Sequence, residues 1–166
     1  KKVINDKLSY NEEYEDIIVN NIGAYKLSFS RALFNAQYNR YPMLIVCKYI
    51  NHCEKLYKYY FEQNKLGNYG LVIKHVLIST LIISRGQNFP SLRYIQNISS
   101  MDSQEKSIQI LGRLVRKCEG KNKTYLDDFI FPGRYLKRHG NHRKNYYLKE
   151  KLKVIKVKSK RWSGPY

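Results

Sequence analysis

An α/β domain with a mostly parallel sheet flanked by helices, followed by a basic C-terminal extension, is the fold this sequence predicts. Three observations carry the prediction. The run from Val76 to Ile82 is dominated by Val, Ile and Leu, as a strand covered on both faces requires. Strand-like and helix-like segments alternate along the chain. The apolar run ends in Ser84-Arg85-Gly86-Gln87-Asn88-Phe89-Pro90, polar and Gly/Pro punctuation of the kind that forms binding loops beyond the carboxyl ends of strands.

Residues 1–40 read as a helical lead-in. Between Glu12 and Ala36 the residues Ile17, Ile18, Ile22, Tyr25, Phe29, Leu33 and Phe34 recur near a 3.6-residue period, with Gly23 able to divide the helix. Residues 41–133 form the body. Met43 to Lys48 reads as a strand, His52 to Gln63 as a helix, Val76 to Ile82 as a strand and Tyr94 to Ile98 as a short strand. Ser103 is a good N-cap for a helix running to about Lys117 and stopping near Gly120, and Lys123 to Ile130 is the next strand. Residues 134–166 are the basic extension. It begins helically from Tyr135 towards Lys151, then alternates Val and Ile with Lys from Lys153 to Lys158 in strand fashion.

The 166 residues, 43% of them hydrophobic, suffice for one core, and nothing in the chain marks a second. Cys47, Cys53 and Cys118 have neither metal-site spacing nor a disulfide framework, which fits a reduced compartment; Cys47, inside an apolar run, reads as core. No apolar stretch approaches bilayer length and no charged-then-apolar leader is visible, so the expectation is a soluble, cytoplasmic protein without a membrane partner.

The net charge of +18 points to a polyanionic partner. Between Arg134 and Arg161 twelve basic residues, among them Arg138, Arg143 and Lys144, are opposed by Glu150 alone. Tyr135, Tyr146, Tyr147 and Trp162 interleave aromatic faces with that charge, as in single-strand binding surfaces. A solvated terminus, or an A+T-biased genome rich in Lys, Asn, Ile and Tyr codons, would give part of the same excess. His139 and His142 lack a companion ligand at matching spacing and are not read as a metal site. Tyr57, Tyr59 and Tyr60, in helical context beside Leu56 and Phe61, read as packing.

The most informative segment is Gln109-Ile110-Leu111-Gly112-Arg113-Leu114-Val115-Arg116. On a helix, Gln109, Arg113 and Arg116 share a face, and a pair of guanidinium groups meets phosphate oxygens bidentately at any physiological pH. A solvated basic helix face is the ordinary alternative. Upstream, Thr80 would emerge at the end of a strand with its hydroxyl available to a nucleic-acid phosphate. Gly86 allows a close backbone turn, and Asn88 can hydrogen-bond a ribose.

Taken in this order, the two segments resemble motifs V and VI of superfamily 2 helicases, in the second, RecA-like domain. Tyr41 to Leu56 looks like motif IV, Tyr10 to Val19 like the segment joining the two motor domains in phage-type branch-migration and recombination helicases, and Tyr125 to Phe129 like the strand after motif VI. The likeness spans Tyr10 to Tyr147. It implies that Arg113 and Arg116 are catalytic, reaching across a cleft to the γ-phosphate of ATP held by another domain, with Gln109 at the same cleft. It also implies that Gly86 and Asn88 lie at the motif V loop beside the nucleotide, although Asn88 stands where many relatives carry an acid. Thr80, Lys48, His52 and the tail residues Arg138, Arg143 and Lys144 would contact nucleic acid, DNA rather than RNA. The sequence holds no GxxxxGK[ST] loop, so ATP and Mg2+ would be held mainly by an N-terminal RecA-like domain supplied in cis or in trans, and this chain alone is not expected to hydrolyse ATP. Were the protein viral, it would act in the host cytoplasm.

Two departures mark the chain. Relatives place a strand, a loop and a helix between motif IV and motif V, where Glu62 to His75 leaves too little room. Either the unit is lost or residues are absent before Val76. Absence is favoured, because removing a central strand would leave buried backbone groups unpaired. Asp127-Asp128, which could suggest an acidic metal motif, follows motif VI with no phosphate loop before it and is read as structural. The competing function is a non-enzymatic basic RNA-binding or ribosome-associated protein, which would have no need of Gln109, Gly112, Arg113 and Arg116 at this spacing.

Overall fold

The computed structural model describes residues 8–67, 76–81 and 89–157. Strands β1 (Met43–Cys47), β2 (Val76–Thr80), β3 (Tyr94–Asn97) and β4 (Tyr125–Asp128) pair in parallel in the order β2-β1-β3-β4. Parallel neighbours need crossovers, and helices supply them. Helix α3 (Ile50–Gly67) follows β1, and α4 (Gln104–Leu114) carries the chain from β3 to β4. Ahead of the sheet lie α1 (Tyr10–Tyr14), continued as a π-helical stretch over Glu15–Val19, and α2 (Ile22–Phe34), continued likewise over Asn35–Asn39; α5 (Arg134–Lys149) follows the sheet.

All five residues of β1 are buried because each face is covered. Met43, Ile45 and Cys47 turn towards Tyr14, Ile18, Phe29, Leu56 and Tyr60, in a cluster that also takes in Phe131 and Leu136. Leu44 and Val46 turn the other way, towards Ile95, Ile110 and Leu114. The expected lead-in and extension therefore supply half of the main core.

Local signals fix the helix starts. Ser9 and Glu12 form a capping box on α1, and the Ser103 hydroxyl accepts from Lys106 N–H at 3.3 Å, as expected for α4. The lead-in divides at Asn20 and Asn21 instead of Gly23: Asn21 is extended, and its side chain accepts from Gly23 N–H at 2.9 Å to start α2. Helix α4 ends at Leu114 with Val115 as its C-cap, shorter than the expected Lys117, so Arg116 lies past the last turn.

One other expectation changes. Leu152 to Val157 is not a strand; Val154, Ile155 and Val157 are exposed, and that segment pairs with no strand among the described residues. Among the described residues the alternation of Val/Ile with Lys meets neither outer strand, β2 or β4. Residues 68–75, within the span where absent residues were expected, lie outside the described residues.

A buried carboxylate locks the two ends of the chain together. Glu13, 1% exposed, accepts from the N–H groups of Arg134 at 2.7 Å, Tyr135 at 2.9 Å and Leu136 at 3.1 Å, capping α5 from a helix more than a hundred residues away. Gly133 makes room for it: its φ is +127°, and a Cβ there would lie 2.8 Å from Glu13 Oε2 and 3.1 Å from Ile17 Cδ1. Glu13→Ala should lower stability to urea by about 2–3 kcal/mol, from lost capping and unsatisfied N–H groups. Glu13→Gln, which keeps one acceptor oxygen, should fall between it and the natural chain. Equal midpoints for all three would remove the carboxylate from its structural role.

Candidate nucleic-acid interface at the carboxyl rim of the sheet

With every strand parallel, all four carboxyl ends share one rim. Helix α3 leaves β1 to cover one face through Leu56 and Tyr60, while α4 leaves the adjacent β3 to cover the other through Ile110 and Leu114. The chain thus departs in opposite directions from neighbouring strands, which opens a crevice of the kind that binds ligands in open α/β sheets. A cleft of about 700 Å3 lies there, lined by Lys48 after β1, Thr80 at the end of β2, Met101 and Lys106 after β3, and Asn11 and Glu15 from the lead-in.

Lys48 is held by aromatic rings. Its Nζ lies 3.7 Å from the centroid of Tyr10, 4.6 Å from Tyr49 and 5.1 Å from Tyr14, and donates to Asn11 Oδ1 at 2.6 Å. Burial, with the nearby Lys106 charge, brings its pKa down to about 8. Thr80 stands level with Cys47 in the β1–β2 register, which sets Lys48 and Thr80 on the same rim. Lys106, in the first turn of α4, joins them; its sequence signal was its position three residues after the cap Ser103. Tyr10, Asn11 and Tyr49 were likewise missed, although Tyr49 directly follows Lys48.

The loop after β3 is pinned from two sides. Ser100, with φ of +50°, is fully buried, and its carbonyl accepts from Tyr10 Oη at 3.2 Å and from His139 Nδ1 at 3.3 Å. His142 Nδ1 is 2.9 Å from Asp102 Oδ2, which fixes the start of α4 to α5. No group of residues that could hold a metal ion occurs among the described residues.

Arg113 lies in the last turn of α4 and is 8% exposed; Arg116 follows the helix and is exposed. Burial, and after it the neighbouring Arg116 charge, lower the Arg113 pKa. Gln109 is exposed on α4 and donates to Glu105 Oε1 at 3.1 Å. Gly86 and Asn88 lie outside the described residues.

Two expected nucleic-acid contacts belong to the interior. His52 is fully buried, its ring stacked on Tyr25 and its Nδ1 2.6 Å from Tyr14 Oη. The Tyr14 hydroxyl also accepts from Lys48 N–H at 3.1 Å and donates to the Ile98 carbonyl at 3.4 Å. Arg143 is 1% exposed. Its Nε and Nη2 grip Asp128, at 2.9 and 2.7 Å, while Nη1 donates to the Met101 carbonyl at 3.0 Å and Nη2 to that of Phe129 at 3.2 Å. Arg138 remains exposed over Tyr135, and Lys144 is half-buried. Asp127 is bound by Arg31 and Tyr94, and Asp128 by Arg143 and Tyr147, so the acidic pair is structural as expected. Tyr59 and Tyr60 are core, while Tyr57 is exposed.

No family model matches the sequence. The chain is 25% identical over 145 residues to "Putative helicase 22" of Sulfolobus islandicus filamentous virus (isolate Iceland/Hveragerdi), covering 77% of this chain and 24% of that protein. Its structure superposes on the crystal structure of T4 UvsW with a TM-score of 0.66 at 16% identity, covering 87% of this chain and 36% of that one. The chain thus spans a minor part of the length of both. The α/β, RecA-like architecture is the observed one, and the resemblance to the second domain of superfamily 2 helicases holds at the level of fold. Among the described residues no helix is long and apolar enough to cross a membrane.

Burial holds the His52 pKa down at about 4, against an ordinary 6.5, with the Lys55 charge adding to the effect. Between those values the unfolded chain takes up a proton that the folded chain refuses, so stability falls as pH drops from 6.5 to 4. Thermal melts across that window should show a shallower acid limb in His52→Gln than in the natural chain. Parallel limbs would contradict a neutral buried imidazole.

Proposed function

We propose that this chain is the second motor domain of an ATP-dependent superfamily 2 helicase or translocase that acts on DNA. The observation carrying the proposal is the parallel α/β architecture shared with T4 UvsW, on which Gln109, Arg113 and Arg116 fall together in the second half of α4 and just past its end. The similarity to a viral putative helicase points the same way. Arg113 and Arg116 reach the γ-phosphate of ATP held, with its Mg2+, by a separate N-terminal RecA-like domain, and stabilise the charge that develops during phosphoryl transfer. Gln109 serves the same site, to which the motif V resemblance adds Gly86 and Asn88.

Nucleic acid lies along the carboxyl rim. Thr80 hydrogen-bonds its backbone, Lys48 and Lys106 neutralise phosphates, and Arg138 and Lys144 on α5 extend the path. ATP draws the two domains together, release lets them part, and the strand advances with each cycle.

In the complete two-domain protein, Arg113→Ala should reduce ATP turnover by roughly a thousandfold or more while ATP binding survives. Unchanged turnover would reject the motor role and leave a non-enzymatic nucleic-acid binder. Because the Lys48 pKa is about 8, its charge is lost as pH rises from 7 to 9, where an ordinary lysine keeps it. Oligonucleotide affinity should therefore weaken across that range in the natural chain and stay level in Lys48→Arg, whose guanidinium remains charged. Identical pH profiles would remove Lys48 from the phosphate path.

A further inference from the structure

Away from the carboxyl rim, where β4 begins and α2 ends, aromatic rings and guanidinium groups follow one another in contact. The rings of Tyr38 and Phe34 are 4.8 Å apart, and the Arg31 guanidinium lies 5.7 Å from the Phe34 ring. Arg31 Nη2 donates to Tyr94 Oη at 3.2 Å. Tyr94 stacks on Tyr125, and Tyr125 on Tyr41, each at 5.9 Å with interplanar angles of 27° and 20°. Arg93 closes the row 5.2 Å from the Tyr41 ring. Tyr94 fixes the ladder from within the core, while Tyr38, Phe34 and Tyr125 are 73%, 47% and 41% exposed.

Single exposed aromatics need no explanation, but a pre-ordered row of them is a surface built to be covered. Charge selects what covers it. Arg40, directly before Tyr41, and Lys123, two residues before Tyr125, are both exposed. The carboxylate that touches the row, Asp127, is already taken by Arg31 and Tyr94. A chain of net charge +18 would repel a second copy at this patch, whereas a polyanion carrying flat rings meets both of its properties. We propose that the ladder is a second nucleic-acid surface, which binds single strands by stacking unpaired bases on Tyr38, Phe34 and Tyr125 while Arg40 and Lys123 neutralise the backbone. This surface shares no residue with the carboxyl cleft or the arginine pair, so it stands or falls separately from the motor reading.

The test uses the 166-residue chain with a fluorescent oligothymidylate and a duplex of equal length. Tyr38→Ala, an exposed change that leaves the core untouched, and Tyr125→Ala should each weaken single-strand affinity about tenfold. Duplex affinity should move far less, and Tyr125→Phe, which keeps the stacking face, should bind as the natural chain does. A photo-reactive 4-thiothymidine oligomer should cross-link to peptides holding Tyr38 or Tyr125. Unchanged single-strand affinity in both alanine variants, cross-links confined to other peptides, or a concentration-dependent dimer dissolved by Tyr38→Ala would each overturn the proposal.

Discussion

The Glu13 carboxylate, inserted into the amino end of α5, is the constraint from which most of the rim derives. Three backbone N–H groups and the positive end of a helix dipole require an acceptor in a place water does not reach, and the acceptor comes from the other end of the chain. Once α1 is held there, Tyr10 and Asn11 stand over Lys48, and Tyr14 reaches His52 and the backbone of Lys48. Once α5 is held, Arg143 and His139 reach the loop after β3. The two sides of the cleft are therefore set by segments that a linear reading treats as lead-in and tail.

Polar groups do much of the work inside. Gln96 on β3 donates to the Ser28 carbonyl and accepts from the Ser28 hydroxyl, which also contacts the Tyr60 hydroxyl, so the middle of the sheet is keyed to α2 and α3. The Arg143–Asp128 pair is costly to desolvate, and its remaining N–H groups are met by the carbonyls of Met101 and Phe129. Such pairs add little net stability compared with apolar packing, but they admit one arrangement. Here that arrangement fixes where the β3–α4 loop presents Met101 and Lys106 to the cleft.

Strands β1, β2 and β3, and the cap at Ser103, were legible because their signals are local: an apolar run, a branched-residue run and a hydroxyl one residue ahead of a helix. The carboxyl rim followed from the parallel arrangement, and Lys48 and Thr80 with it. The burial of His52 and Arg143 was not legible. Each is polar in the sequence, and what buries it is a partner far along the chain: Tyr14 for His52, and for Arg143 both Asp128 and the Met101 carbonyl. The same blindness hid Glu13, whose partners lie 121 to 123 residues away. The strand expected from Lys153 shows the opposite error, a local alternation that pairs with no strand among the described residues up to Val157.

The burial of Arg143 separates formal charge from charge that counts. Its guanidinium is spent on Asp128 and two carbonyls, and Arg31 is spent in part on Asp127, yet both count among the 31 basic residues. Binding to a polyanion is driven by the small cations set free when phosphates are neutralised, and a cation already matched inside the protein frees none. The ionic-strength dependence of association is thus governed by the mobile lysines and the exposed arginines, and it is gentler than the composition suggests.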